Sequence, residues 1–365
     1  MTEARGTSNN QKKWLKAIPI DIQSLYEKVD EPLPHSAKRW WWCWGGIVGL
    51  LFMLVAGTGL LLAMYYRAEP ETAYTSVKYI TEQARYGRFI RSVHQWAANF
   101  MIVFLFLHLL RVFVTGAFRE YRWGAWMVGV CLLGIVLGMG VTGYSLVYEQ
   151  ISYWAITVTS NIMGSVPFVG SMLKHLFLAG DEINQSTLSR LYALHVQILP
   201  ALLILFSVVH LFFVRLIGLY LPGNQHDRDE EKALTTQKGH YHFYPEHFSS
   251  ELTVFLYLTL IICLLAIAFP ATMGPPSDPL VTPEHIKPEW YFLPFYHLLK
   301  MVPGSVGVVI LGVFGIIFFL WPVLDHFFFQ KIDQKIFKGH LEGSLVIGVL
   351  IIGVYLAWAF LETKL

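Results

Sequence analysis

The chain has 365 residues, of which 55% are apolar and only 14% charged, with a formal net charge of +2. A surface so poor in charge cannot face water on all sides, and so slight a positive balance gives a polyanion nothing to hold, so a soluble globule and a nucleic-acid binder are both excluded. The three cysteines, Cys43, Cys131 and Cys263, lie far apart in apolar surroundings, which argues against a disulfide framework or a zinc cluster.

About 40 mostly polar residues precede the first apolar run and show no cleavable signal, so that run itself is expected to direct insertion. A run of about 20 apolar residues crosses the hydrocarbon core as a helix. Seven such spans are predicted, A to G, at 41–65, 90–115, 124–146, 190–218, 251–271, 304–323 and 344–362. The interval 147–189 is expected to form short helices lying on one surface. A polar stretch, "GNQHDRDEEKALTTQKGH" at 223–240, divides A–D from E–G. The predicted fold is therefore all-α, a polytopic transmembrane helix bundle. Its parts are a cytoplasmic tail (1–40), a four-helix core (41–222), a linker (223–250) and three further helices (251–365).

Lysine and arginine placement sets the expected orientation. The tail carries Arg5, Lys12, Lys13, Lys16, Lys28, Lys38 and Arg39, the B–C turn Arg111, Arg119 and Arg122, and the F–G turn Lys331, Lys335 and Lys338. That side is expected to be cytoplasmic. The A–B loop breaks the rule with Arg67, Lys78, Arg85, Arg88 and Arg91 on the outer side.

Ionisable side chains inside a span are costly and point to function. A single histidine could simply bond a neighbouring helix, but four fall in a pattern. His94 and His108 in B are 14 residues apart, and His195 and His210 in D are 15 apart. Each interval returns to nearly the same helix face about 21 Å further along. B and D run in the same direction, so His94 should lie level with His195 and His108 level with His210. Facing neutral imidazoles suit the two axial positions of a haem iron, and two haems at two depths would carry electrons across a bilayer. Zinc would want further ligands, and no cysteine or carboxylate recurs at those depths. Gly45 and Gly59 in A, and Gly129 and Gly143 in C, repeat the 14-residue interval and are expected to make room for the flat macrocycles. Arg91, three residues before His94, is the candidate partner for an anionic haem propionate, although an arginine at a helix end can also simply reach for water.

The histidine spacing, "GYS" at 143–145, "QSTLSR" at 185–190 and "PEWY" at 288–291 together resemble cytochrome b of the quinol-oxidising bc and b6f complexes, over nearly the whole chain beyond the tail. The 15-residue step in D, "CWGGI" at 43–47 and Arg215 in "VHLFFVR" are similar to the b6 type, and "PPSDPLVTPEHIKPEWYF" at 275–292 is similar to its separate subunit IV. The resemblance implies a fused, bacterial b6-type chain in the inner membrane with its N terminus in the cytoplasm. It implies two b haems and quinone as cofactors, with a further haem of c type attached covalently at Cys43 near Arg215. A free, buried thiol is the alternative for that cysteine. Implied partners are a Rieske iron–sulfur protein and a c-type cytochrome, in a homodimeric complex.

The same resemblance places quinol oxidation on the outer side. Glu289 is the implied proton acceptor beside Tyr291, with Tyr144 and Glu149 flanking the pocket. "GYSLVYEQ" departs from the family's proline–tryptophan pair at Val147 and Tyr148, and Gln95 stands where an arginine is common in the b6 type. Asp21 resembles an acidic position of the cytoplasmic quinone site. The implied function is oxidation of quinol outside, with one electron sent to the Rieske protein and the other recycled to an inner quinone site, coupled to proton translocation. A dihaem anchor serving a soluble dehydrogenase would explain the histidines equally well, but not "PEWY", the long C–D segment or spans E–G. A haem-free transporter moving protons on histidines is the third class.

Overall fold

In the computed structural model the described residues are 33, 39–119, 121–218, 241–284, 286–329 and a scatter between 348 and 361. Asp21, the 223–240 linker and most of predicted span G lie outside them. Among the described residues there is no strand, only an isolated backbone bridge between Glu149 and Pro276.

Five helices are long and apolar enough to cross a membrane, namely Trp40–Ala63, Gly87–Val114, Trp123–Ser145, Gln185–Ile217 and Phe243–Ala268. A sixth candidate is a bent pair, Gly304–Phe319 and Trp321–Phe328, which turns through 66°. These are spans A to F. In chain order the α-helices are α1 (Trp44–Ala63), α2 (Pro70–Glu82), α3 (Gly87–Val114), α4 (Trp123–Ser145), α5 (Gln150–Gly164), α6 (Gly170–Leu178), α7 (Gln185–Ala193), α8 (Leu199–Ile217), α9 (Phe248–Ala268), α10 (Leu293–Met301), α11 (Gly304–Phe319) and α12 (Trp321–Leu324). The stretch expected to hold short surface helices does so, as α5, α6 and the start of α7.

Prolines explain both irregular spans. Pro322 has no N–H for the carbonyl of Phe318 and would collide with it, so the helix breaks. The carbonyl is satisfied from outside by the indole N–H of Trp126 on α4, 2.9 Å away. Pro200 follows a wide, π-type turn at Leu194–Ile198 that joins α7 to α8 within one span. Such a turn admits one extra residue without advancing the helix face. This accounts for the 15-residue step from His195 to His210. In a regular helix it would leave those side chains about 60° out of line.

The core is two tight helix pairs. α1 lies along α3 and α4 lies along α8, whereas direct approach between the pairs is sparse. Leu51, Ile47, Val93, Ala97 and Met101 are buried where α1 meets α3. α9 seals this pair from outside, and Trp96 Nε1 donates to the carbonyl of Phe269 at 3.0 Å. On the other side Arg119, after α3, grips Asp325 with two bonds of 2.7 and 2.8 Å, and Asp325 is fully buried. We call the end holding Arg119 and Cys43 the lower end and the opposite one the upper end.

Removing one partner of a buried ion pair leaves an unbalanced charge and costs about 3–5 kcal/mol. Arg119 keeps 13% of its side-chain surface exposed and can regain some hydration. Asp325→Ala is therefore expected to lose about 3 kcal/mol in detergent-solubilised unfolding, and a loss under about 1 kcal/mol would make the pair no better than a surface one.

Candidate functional site

The four histidines meet in the gap between the helix pairs. His94 and His195 have ring centroids 6.4 Å apart with planes at 73°, and His108 and His210 are 6.5 Å apart at 78°. A first-row metal holds imidazole nitrogen at about 2.0–2.1 Å, and a ring centroid lies roughly another ångström behind, so two axial imidazoles on one metal put their centroids a little over about 6 Å apart. Both couples have that spacing.

Three of the four rings are anchored from behind. Val55 of α1 accepts from His94 Nδ1 at 3.1 Å and Ala125 of α4 accepts from His210 Nδ1 at 2.9 Å, each through its backbone carbonyl. The hydroxyls of Thr58 and Thr142 spend their protons on carbonyls of their own helices. Their oxygens are then acceptors for His94 Nδ1 at 3.0 Å and His195 Nδ1 at 3.2 Å. A proton held on Nδ1 leaves the lone pair on Nε2, which is the form a metal requires.

The glycines lie against the histidine rings. A Cβ on Gly45 or Gly59 would lie 3.1 Å from the ring of His108 or His94, and one on Gly143 would lie 2.5 Å from His195. One on Gly129 would make ordinary contact with His210 at 3.4 Å. The missing methyls therefore clear space for the imidazoles, which lie between each glycine and the gap.

The basic residues also sort differently. Arg91 is tied down at the upper end, donating to Thr81 Oγ1 at 3.1 Å and to the carbonyls of Ala271 and Thr272 at 3.4 and 3.0 Å. Arg215 is exposed on α8. Arg111, three residues after His108, is the buried cation of the lower end. Its guanidinium stacks 3.7 Å from the Trp42 ring centroid, and among the described residues its Nε and Nη2 are buried without an acceptor, as is Trp44 Nε1. Buried unpartnered donors of this kind suit an anionic group such as a propionate. Nearby, the buried Cys43 thiol shares a cluster with His247 and Glu251, whose ligand atoms lie within 4.8 Å of one another. His247 Nε2 is 3.3 Å from the Glu251 carboxylate, Tyr241 bonds its Nδ1 at 3.2 Å, and Gly46 leaves the space the carboxylate fills.

At the upper end three segments converge. Glu289 caps a short turn, Trp290–Phe292. Burial first, and then the charge of Glu149, pushes its carboxyl above the ordinary carboxylate range. Tyr291 is buried, its hydroxyl packed where a Cβ on Gly140 of α4 would be, 2.6 Å away, and burial followed by Glu289 raises its phenol likewise. Tyr144 stands within electrostatic reach of both glutamates. Glu149 spends an oxygen on structure, accepting from the Gly274 N–H at 2.5 Å, while Gln150 grips the same loop through Pro275, Asp278 and Val281. Tyr148, at the departure from the family pattern, takes a left-handed backbone with φ 54°. On the α3 side a pocket of about 390 Å³ is lined by Gln95, Trp96, Asn99, Phe100, Val103, Glu289 and Trp290.

Residues 28–218 match the family described as cytochrome b/b6/petB, and residues 276–360 match cytochrome b(C-terminal)/b6/petD. This chain belongs to the cytochrome b/b6 family. It is 42% identical to cytochrome b6 of Heliobacterium mobile over 210 residues, 57% of this chain and 99% of that one. It is 41% identical to cytochrome b6 of Heliomicrobium gestii over 211 residues, 58% and 99% respectively. Its fold is similar to a chain of a hyperthermophilic respiratory Complex III, with a TM-score of 0.78 at 23% identity, covering 96% of this chain and 91% of that one.

Several residues of this cytochrome b had a sequence signal that spacing alone did not interpret. Thr58–Gly59 and Thr142–Gly143 are the same dipeptide in α1 and α4, and Arg111 sits three residues after its histidine as Arg91 sits three before. Gly140 and the His247/Glu251 couple needed the packing. The clearances give a graded test. Gly143→Ala is expected to displace His195 and lower the haem b absorption, whereas Gly129→Ala should leave that absorption unchanged. Equal spectra from the two variants would show that the rings are not held by this contact.

Proposed function

We propose that this chain is the cytochrome b subunit of a quinol-oxidising complex, with quinol losing its electrons and protons at the upper end beside Glu289. The observation that carries the reading is the pair of facing imidazole couples at two depths of one bundle, joined to a half-buried glutamate with raised proton affinity. His94 with His195, and His108 with His210, would each hold a haem b, and these groups supply one-electron carriers at two levels of the bilayer. Arg111 and Trp44 offer their unpartnered donors to an anionic edge at the lower end.

The chain's own residues do the proton work. Glu289 in its ionised form accepts a quinol proton, and burial beside Glu149 raises its proton affinity and so makes it a better base. Tyr144 and Tyr291 line the approach as neutral phenols. Glu149 and Gln150 hold the 274–281 loop closed over the site. One electron would leave to a Rieske iron–sulfur protein and c-type cytochrome, and the other would return toward a lower quinone site, coupled to proton translocation. The complex would be a homodimer in a bacterial inner membrane, with the lower end and the N terminus cytoplasmic. The division at the 223–250 linker would make this a fusion of b6-like (41–222) and subunit-IV-like (251–365) parts. At Cys43 a covalently attached haem of c type would meet His247 and Glu251 first.

Glu289→Gln is expected to slow quinol oxidation about 10²-fold while both haem bands persist; an unchanged rate would remove this residue from the proton path. Cys43→Ala should abolish haem peroxidase staining of the denatured chain on a gel, and staining that survives would place the attachment elsewhere or leave a free thiol at 43.

A further inference from the structure

We propose that Thr58 and Thr142 are positioning residues that set the two haem levels apart in potential. Their hydroxyl oxygens, bonded to both histidines of the upper couple and replaced by Trp44 and Val128 at the lower one, hold the upper haem more strongly in its ferric form. This rests on the reading of each couple as a haem b site and goes beyond it by assigning the difference between the two sites to two side chains.

The four glycines opposite the four histidines mark four equivalent positions. The residue just before the glycine is Thr58 before Gly59 and Thr142 before Gly143 at the upper level, but Trp44 before Gly45 and Val128 before Gly129 at the lower. Of these four side chains only the threonines carry an acceptor. Thr58 Oγ1 lies 3.0 Å from His94 Nδ1, and Thr142 Oγ1 lies 3.2 Å from His195 Nδ1. Backbone carbonyls do not sort the levels this way, since Val55 serves His94 above and Ala125 serves His210 below. Each level also has an arginine three residues from its α3 histidine, Arg91 above and Arg111 below, so a nearby cation is common to both and the hydroxyls are not.

Each threonine is fixed as an acceptor. Its own proton is taken by a carbonyl one turn back, Leu54 at 2.8 Å for Thr58 and Gly138 at 2.9 Å for Thr142. A hydroxyl that donates in this way is polarised and accepts more strongly. An acceptor on the Nδ1–H makes the opposite ring nitrogen a stronger donor to a metal, which favours the higher oxidation state. At the upper level this acts on both axial ligands at once. The upper haem is then the more reducing of the two, and one electron lost there on oxidation is gained, downhill, where the lower haem is reduced. That direction agrees with the return path in the quinol-oxidising reading.

The test is a potentiometric titration of haem b absorption in the intact complex, purified with its native partners, where the wild type should show two midpoints. Valine has the shape of threonine without the oxygen. Thr58→Val and Thr142→Val should each raise the lower midpoint and leave the higher in place, by about tenfold in the oxidised-to-reduced ratio, or about 59 mV for one electron. The low-spin ferric resonance of the same haem should shift with it. Thr58→Ser and Thr142→Ser keep the oxygen and should keep the midpoint. The reciprocal change, Val128→Thr, brings a hydroxyl to His210 and should lower the higher midpoint, which decides the matter even where a valine variant fails to assemble. Midpoints unmoved by the valine variants or by Val128→Thr would overturn the proposal while leaving both haem sites intact. So would a valine variant that moves the higher midpoint, or serine variants that shift as far as valine. One haem b per chain in the wild type would sink the two-level reading, and this inference with it.

Discussion

An imidazole taken out of water into a helix bundle must find a partner for each ring nitrogen, and that requirement organises this molecule. In His94, His195 and His210 one nitrogen is served by the adjacent helix. The carbonyls of Val55 and Ala125 and the hydroxyls of Thr58 and Thr142 take the Nδ1 protons. For this to happen α1 must lie close to α3 and α4 close to α8, and glycine opposite His94, His108 and His195 gives the rings their clearance. The helices therefore pair tightly two by two, and the space left between the pairs is where the second nitrogens face each other. Backbone proximity, tautomer and the 6.4–6.5 Å ring spacing are consequences of one constraint.

The same constraint separates what could be read in the sequence from what could not. Spans A to F and the matched depths of the histidines were legible because apolar run length and helical period act along a single chain. The 15-residue step in the last of these helices looked like a 60° misalignment and is absorbed by the wide turn at Leu194–Ile198, whose signal was Pro200 just beyond it. The 14-residue glycine repeat was visible, yet its object was not, since a glycine says that something comes close and not what. The protein group that comes close is the imidazole. Arg91 beside His94 looked like an anion's partner, but the loop after α9 occupies it, and Arg111, first counted only as a topological charge, is the buried cation. Partner identity across 180 residues of chain is a property of packing.

The upper end shows why the second part of the chain is needed. Glu289 comes from the segment before α10, the residues that shape its proton affinity come from α4 and α5, and the pocket beside it comes from α3. Each seam is bridged by specific bonds: Glu149 and Gln150 to the 274–281 loop, Trp96 to Phe269, Trp290 to Asn99. Tyr74 adds another, donating to the Gly274 carbonyl at 2.9 Å. A glutamate on a free loop would keep an ordinary proton affinity. Here the loop is fastened at both ends, so the carboxyl stays half-buried beside a second carboxylate and its proton affinity stays high.

The two ends of the bundle thus differ in a way that follows from their bonding. At the upper end Arg91 is fully engaged, so the basic group nearest the His94/His195 couple is a structural tie. At the lower end Arg111 and Trp44 bury donors with no acceptor among the described residues, and Cys43, His247 and Glu251 bury three more reactive groups together. Burying such donors without an acceptor costs roughly 1–3 kcal/mol each, more for a charged one, so the lower end gains most from a bound anionic group. The two ends therefore differ in their cations: the upper one, Arg91, is tied to Thr81, Ala271 and Thr272, whereas the lower one, Arg111, keeps donors without an acceptor among the described residues.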